Sequence, residues 1–183
     1  LIDTLLDVSH LETGRLHLST PTGRRIRGRR MALSPDGTLL AIPVRDFGTS
    51  PAGWIAFVRL PDFTEVDTDP ATDGTQALPV SASAPLAAPT EVKFGLDGTR
   101  LYGNGSGDPA DGFKDQVLVV DMADYSRFTI PTSRPNSLAV APDGRVFIGT
   151  WSGVRVYDPV VGGAFTTVPG TGAGAGGVSW RAS

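Results

Sequence analysis

Met31-Ala-Leu-Ser-Pro-Asp-Gly-Thr-Leu-Leu-Ala (31–41), Val92-Lys-Phe-Gly-Leu-Asp-Gly-Thr-Arg-Leu-Tyr (92–102) and Leu138-Ala-Val-Ala-Pro-Asp-Gly-Arg-Val-Phe-Ile (138–148) are three copies of one phrase. Each has an alternating apolar run, a break at Asp-Gly and a second alternating run, the pattern of a β-hairpin. Gly37, Gly98 and Gly144 supply the positive φ that such a turn needs, and Asp36, Asp97 and Asp143 are explained by turn chemistry. Their repetition is therefore no evidence of a site.

A second phrase follows each hairpin. Gln116-Val-Leu-Val-Val-Asp-Met-Ala-Asp-Tyr-Ser-Arg-Phe-Thr-Ile-Pro-Thr and Val154-Arg-Val-Tyr-Asp-Pro-Val-Val-Gly-Gly-Ala-Phe-Thr-Thr-Val-Pro each read as two more strands around a short turn. Trp54-Ile-Ala-Phe-Val-Arg-Leu-Pro-Asp-Phe-Thr-Glu-Val is the same unit, with Arg59 where the others carry Asp121 and Asp158. Four consecutive antiparallel strands per repeat, with a core period of about 40 residues carrying insertions, are the content of a β-propeller blade. The chain is thus predicted to be all-β, with four-stranded antiparallel blades in an incomplete or fragmentary ring. Strands are predicted at 29–34, 38–44, 54–60 and 63–68, and again at 91–95, 99–103, 116–121 and 126–131. The whole of 1–183 reads as one propeller segment: 1–20 as the outer strands of a partial blade, then blades over 29–88, 89–133 and 135–170, and 176–183 as a further first strand.

Residues 1–20 admit two readings. Leu1 to Leu16 resembles the second helix of a histidine-kinase dimerisation domain, with tolerably helical apolar spacing. Against this, Thr4-Leu-Leu-Asp-Val matches Val119-Val-Asp-Met, and Arg15-Leu-His-Leu-Ser-Thr matches Arg127-Phe-Thr-Ile-Pro-Thr, so both outer strands of a blade occur in order. The strand reading is preferred because it adds no second fold, and it makes His10 a turn residue.

Composition narrows the function. The 183 residues are 40% hydrophobic, enough for a sizeable core, and the 23 Gly and 15 Pro are spread along the chain as many short strands and turns require. No cysteine is present, which excludes disulfides, thiolate catalysis and cysteine metal sites. The net charge of −3 gives no global attraction to nucleic acid or acidic lipid. No apolar run is long enough to span a bilayer. The chain starts at Leu1 in mid-pattern, which reads as a piece of a larger protein.

Pro89-Thr-Glu-Val-Lys-Phe-Gly-Leu-Asp-Gly-Thr-Arg-Leu-Tyr-Gly-Asn-Gly-Ser-Gly followed by Val117-Leu-Val-Val-Asp resembles a repeat of the YVTN/lactonase-like β-propeller family. It departs from the pattern at Tyr102-Gly-Asn, which stands in place of Tyr-Val-Thr-Asn, and Ala41-Ile-Pro-Val lacks the Asn. The resemblance implies a ring, often of seven blades, found in bacterial surface proteins and lactonase-like enzymes, and an extracytoplasmic setting. It carries no catalytic residue onto this chain, because the lactonase positions have no match here. WD40 repeats fit less well, since no Gly-His pair precedes a hairpin and no Trp-Asp ends a third strand.

With blade strands lettered a to d from the ring centre outward, the long connections Arg45 to Gly53 and Gly103 to Asp115 (b–c), and Pro21 to Arg30 and Asp67 to Pro89 (d–a), fall on one face. Binding resides on loops carried by a rigid scaffold. Ligand contact is therefore expected there, through Asp46, Asn104, Asp108, Asp111 or Trp151. Asp108, Asp111 and Asp115 with Asn104 offer oxygen ligands, but at no defined calcium spacing, so a solvated loop is expected and no metal. Arg24, Arg25, Arg27, Arg29 and Arg30 make a local cluster that can hold an anion, with Arg24, Arg25 and Arg27 as its candidates. Without interleaved aromatics it is not expected to bind nucleic acid. Only His10 and His17 are present, no Gly-x-Ser-x-Gly elbow occurs, and Thr171-Gly-Ala-Gly-Ala-Gly-Gly lacks a P-loop lysine. No cofactor is expected. The sequence reads as a non-enzymatic scaffold for a protein or small-molecule ligand, able to self-associate through open blade edges, with a lactonase-like hydrolase completed by further blades as the rival.

Overall fold

The computed structural model describes residues 30–45, 53–68, 77–80, 89–105 and 115–171, and what was read above for the other positions, including the strands expected within 1–20 and 176–183, lies outside them. Among these described residues thirteen strands make three antiparallel sheets: β1 (Ala32–Leu33), β2 (Leu39–Arg45), β3 (Gly53–Arg59) and β4 (Thr64–Glu65), with β5 (Leu78–Pro79) also on β3; β6 (Glu91–Phe94), β7 (Arg100–Asn104), β8 (Gln116–Asp121) and β9 (Arg127–Pro131); and β10 (Pro135–Val140), β11 (Val146–Thr150), β12 (Gly153–Tyr157) and β13 (Thr166–Thr167). Each sheet runs a-b-c-d, and β6 packs between β1 and β10, so the first strands lie side by side as the inner strands of an arc. Among the described residues the three sheets do not close into a ring. No helix among the described residues is long and apolar enough to cross a membrane.

The sheets stack because both faces of their middle strands are apolar. Side chains alternate along a strand, and in β8 Leu118 and Val120 turn to one side while Val117 and Val119 turn to the other, all buried. Leu118, Val120, Leu101, Val92 and Phe94 meet Ala41, Ile55, Phe57, Leu78 and Val80 of the first sheet. Val117, Val119, Tyr102 and Ile130 meet Leu138, Val146, Ile148, Tyr157 and Phe165 of the third. Tyr125, in the β8–β9 turn, packs its ring 5.2 Å from Phe57, which adds an aromatic contact across the first seam.

The long strands lie where the sequence predicts them, and the outer elements are shorter. The β1 ladder ends at Ala32↔Ala41, before Pro43, which has no N–H to give. The 67–89 stretch, read as a plain connection, contains β5. Its Leu78 and Pro79 pair with Ile55 and Trp54, and the Val80 N–H bonds to the Gly53 carbonyl at 3.0 Å. The cause is the shortness of β4, which covers only Val58 and Arg59 and leaves the other half of the β3 edge to be satisfied.

The Asp-Gly turns form as expected. Gly37, Gly98 and Gly144 have φ of 74°, 72° and 85°. Asp36 accepts from the Ser34 hydroxyl at 2.6 Å and the Thr38 N–H at 3.0 Å. Asp97 accepts from the Thr99 N–H at 3.1 Å and hydroxyl at 2.8 Å, and Asp143 from the Arg145 N–H at 3.1 Å and Nε at 2.7 Å. These donors hold the three carboxyls below their ordinary value of 3.8: the Ser34 hydroxyl first for Asp36, the Thr99 amide for Asp97 and the Arg145 side chain for Asp143. Folding therefore favours the ionised form, and this stability is present above 3.8 and lost as pH falls below it. The thermal unfolding midpoint should be level above about pH 5 and decline below about pH 4. Replacing Asp36, Asp97 and Asp143 together by Asn should make the acid decline shallower. Equal slopes in the two proteins would show that the turn carboxylates carry none of the acid-sensitive stability.

Candidate functional site

The two ends of the sheets differ in chemistry. At one end lie the Asp-Gly hairpins and the c–d turns; at the other, strands a begin, strands b end and the long connections depart. This second end carries Glu91, Asn104, Thr132, Arg134 and Trp151.

Glu91 opens β6 and is 5% exposed. One oxygen accepts from Arg30 Nη1 at 3.4 Å, with Lys93 Nζ at 3.8 Å, and the other accepts from the Leu138 N–H at 3.2 Å. The Val92 N–H also donates to the Arg30 carbonyl at 3.2 Å. One carboxylate thus links the segment entering the first blade to the inner strand of the third. The Arg30 side chain is 65% exposed, so that ion pair contributes at most about 1 kcal/mol. The bond to the buried amide is the stronger part, about 1.5–3 kcal/mol.

Asn104 stands directly across the ladder from Glu91 and Val117 and is fully buried. Among the described residues neither its amide nitrogen nor its amide oxygen has a hydrogen-bond partner, and the buried Thr132 hydroxyl is likewise unpartnered there. The Thr132 N–H donates to the Asp115 carbonyl at 2.8 Å, which holds the d–a connection against the start of strand c.

Trp151 is 59% exposed on a two-residue turn between Thr150 and Gly153. The turn is locked from beneath. Thr150 Oγ1 donates to the Gly153 carbonyl at 2.8 Å, and Thr171 Oγ1 accepts from the Val154 N–H at 3.0 Å. Gly153 has φ of 130°, and a Cβ there would lie 2.5 Å from the Thr171 carbonyl oxygen, so only glycine fits. The Arg134 guanidinium lies over the Trp151 ring, its Cζ 5.3 Å from the centroid. Arg134 has φ of 46°, a left-handed conformation costing about 1–3 kcal/mol in a non-glycine residue, and it precedes Pro135, where the ladder to β11 slips by a bulge.

At the opposite end a cleft of about 420 Å³ opens between the second and third sheets, lined by Leu96, Tyr102, Pro142, Pro159 and Val160 with Asp97, Arg100 and Asp143 around it. Its polar groups are already engaged. Asp97 and Asp143 serve their own turns, Arg100 Nη1 donates to the Pro159 carbonyl at 3.3 Å, and the buried Tyr102 hydroxyl, raised by burial, meets Arg100.

Of the residues read as candidates, Asn104 and Trp151 are described, both at the long-connection end, one buried and one exposed. Asp46, Asp108, Asp111, Arg24, Arg25 and Arg27 lie outside the described residues. Arg30, counted in the arginine cluster, is partly committed to Glu91. Glu91, Thr132 and Arg134 were not singled out. Glu91 left a signal, a carboxylate placed between Thr90 and Val92 at the start of an inward strand. Arg134 left none, because an arginine before a proline looks like an ordinary connection.

This geometry defines a class: three radial antiparallel blades, each built on a four-strand a–d path with β5 added to the first, around an inner row of first strands are an arc of a β-propeller. Solved structures agree. The RRP9 WD40 repeats superpose with a TM-score of 0.55 at 9% identity, over 81% of this chain and 41% of that one. The β-propeller domain of the Trilobed protease from Pyrococcus furiosus gives 0.53 at 11% identity over 78% and 42%, and a putative 6-phosphogluconolactonase from Bacteroides fragilis 0.50 at 14% over 78% and 38%. The likeness is one of fold, and the chain spans less than half the length of each of these structures. No protein-family model matches the sequence, and no match is found among curated proteins.

Replacing Glu91 by Ala leaves a buried N–H without its acceptor and is expected to cost about 1–3 kcal/mol, lowering the calorimetric midpoint by several degrees. Glu91→Gln, which keeps an acceptor for Leu138, should lose less. A midpoint unchanged in Glu91→Ala would show that the link carries no stability.

Proposed function

We propose that this propeller arc is a non-enzymatic binding module of a larger protein, taking a protein or small-molecule ligand on the face where the b–c and d–a connections emerge. The observation that carries this is Trp151: a large aromatic surface kept in solvent on a turn locked by Thr150, Gly153 and Thr171, with a strained Arg134 laid over it. Rigid exposed Trp and Arg are the residue types that dominate binding energy at interfaces, because little freedom is lost when they are covered. Asn104 with its unpartnered amide lies at the same end, and the connections bearing Asp46, Asp108 and Asp111 leave from it. Arg24, Arg25 and Arg27 extend the same reading to an anion-binding stretch before the first blade. The repeat at Val92 to Tyr102 supports membership of the YVTN-like group.

The cleft beside Leu96, which is 51% exposed, and Val160, 92% exposed, favours a second reading in which an apolar ligand sits on the opposite face. A peptide-display selection against the intact chain separates the two. Selected binders should lose at least about tenfold in affinity with Trp151→Ala and none with Leu96→Ser or Asp97→Asn. The opposite pattern would move the site to the cleft. A panel of five- and six-membered lactones should be hydrolysed no faster than in buffer. Turnover above that rate by the folded chain would replace the binding module with a hydrolase.

A further inference from the structure

We infer that the Trp151–Arg134 pair recognises an acidic peptide segment in which a carboxylate side chain neighbours an apolar one. The inference rests on the binding-module reading and specifies its partner. Three independent features converge on the pair. The ladder between β10 and β11 carries a bulge between Pro135 and Ser137, the one register shift in the described ladders. Bulges next to functional sites re-aim side chains. Arg134, immediately before that bulge, adopts φ of 46° although it is neither Gly nor Asn and precedes a proline, a position biased to extended backbone. The conformation places its guanidinium over the indole of Trp151, whose own turn is tied by the hydrogen bonds from Thr150 Oγ1 to the Gly153 carbonyl and from the Val154 N–H to Thr171 Oγ1.

Among the described residues Arg134 makes no hydrogen bond or ion pair; its contact is the indole. A guanidinium held over an aromatic ring through its π face still has N–H donors to give, in the fork that matches a carboxylate in bidentate fashion. The uncovered indole surface beside it takes an apolar group. A carboxylate and an apolar side chain a residue or two apart satisfy both parts. The side-chain acids of the nearest described connection do not compete: Asp115 is present there, but its link to this segment is through its carbonyl, to the Thr132 N–H.

The test uses the intact chain and two capped pentapeptides, one with glutamates on both sides of a phenylalanine and the other with glutamines in their place. The readout is the Trp151 indole N–H resonance, assigned from its loss in Trp151→Phe. The glutamate peptide should shift this resonance and bind about tenfold or more tightly than the glutamine peptide. That advantage should shrink with added salt and vanish in Arg134→Ala. Arg134→Lys should retain only the salt-sensitive part. Backbone resonances of β7 and β8 serve as the check that each variant is folded. Equal binding of both peptides, abolished by Trp151→Ala, would overturn the acidic preference and leave the anchor reading standing. No shift by either peptide would overturn the inference itself, and the display selection would then judge the anchor separately. Tighter binding of a short single-stranded DNA at the same indole would overturn it in favour of phosphate.

Discussion

Every described sheet in this protein is apolar on both faces, and no sheet with two apolar faces is stable in water by itself. That constraint organises the molecule. In β8 the run Val117-Leu-Val-Val is buried to within 1% of complete, two residues against the first blade and two against the third. At about 25 cal/mol per Å² of apolar area removed from water, such seams outweigh the polar link at Glu91. Glu91 acts differently: it fixes how the inner strands sit relative to one another, which the non-directional apolar contacts do not.

The same constraint separates structural from functional surface. The inner strand faces are consumed by stacking, which leaves the two ends of the sheets, besides their outer edges, to meet partners. At the hairpin end the repeated aspartates are saturated by donors of their own turns, and Arg100 is spent on the Pro159 carbonyl. At the other end polar capacity is left over, in the amide of Asn104 and the hydroxyl of Thr132, and an indole is held in solvent. Rigidity and unsatisfied chemistry therefore coincide at the end where the chain also has its long connections.

The fold was legible because period-2 alternation and Asp-Gly turns are local signals. Phe94 to Leu101 can be read as a hairpin without knowing what packs on it. The shortness of β1 and β4, and with it the fifth strand β5, was not legible, because edge pairing depends on which backbone groups remain unsatisfied in three dimensions. Trp151 could be placed at the b–c end of its blade from strand order alone. Its partner Arg134 could not, since the contact needs a left-handed residue and a bulge at Pro135 that no composition rule flags. Glu91 was visible as a charged residue in an inward strand, but its acceptor role toward Leu138 arises only when the third blade is in place.

If the blades form one cooperative stack, native-state amide hydrogen exchange on Leu118→Ala will reveal it. Leu118 belongs to the seam between the first two blades, and its truncation should cost about 2–5 kcal/mol. If the stack opens as a unit, the slowest amides of β3, β8 and β11 should lose protection together and by the same amount. Loss confined to β3 and β8, with β11 amides as protected as before, would contradict it and show blades that open one at a time.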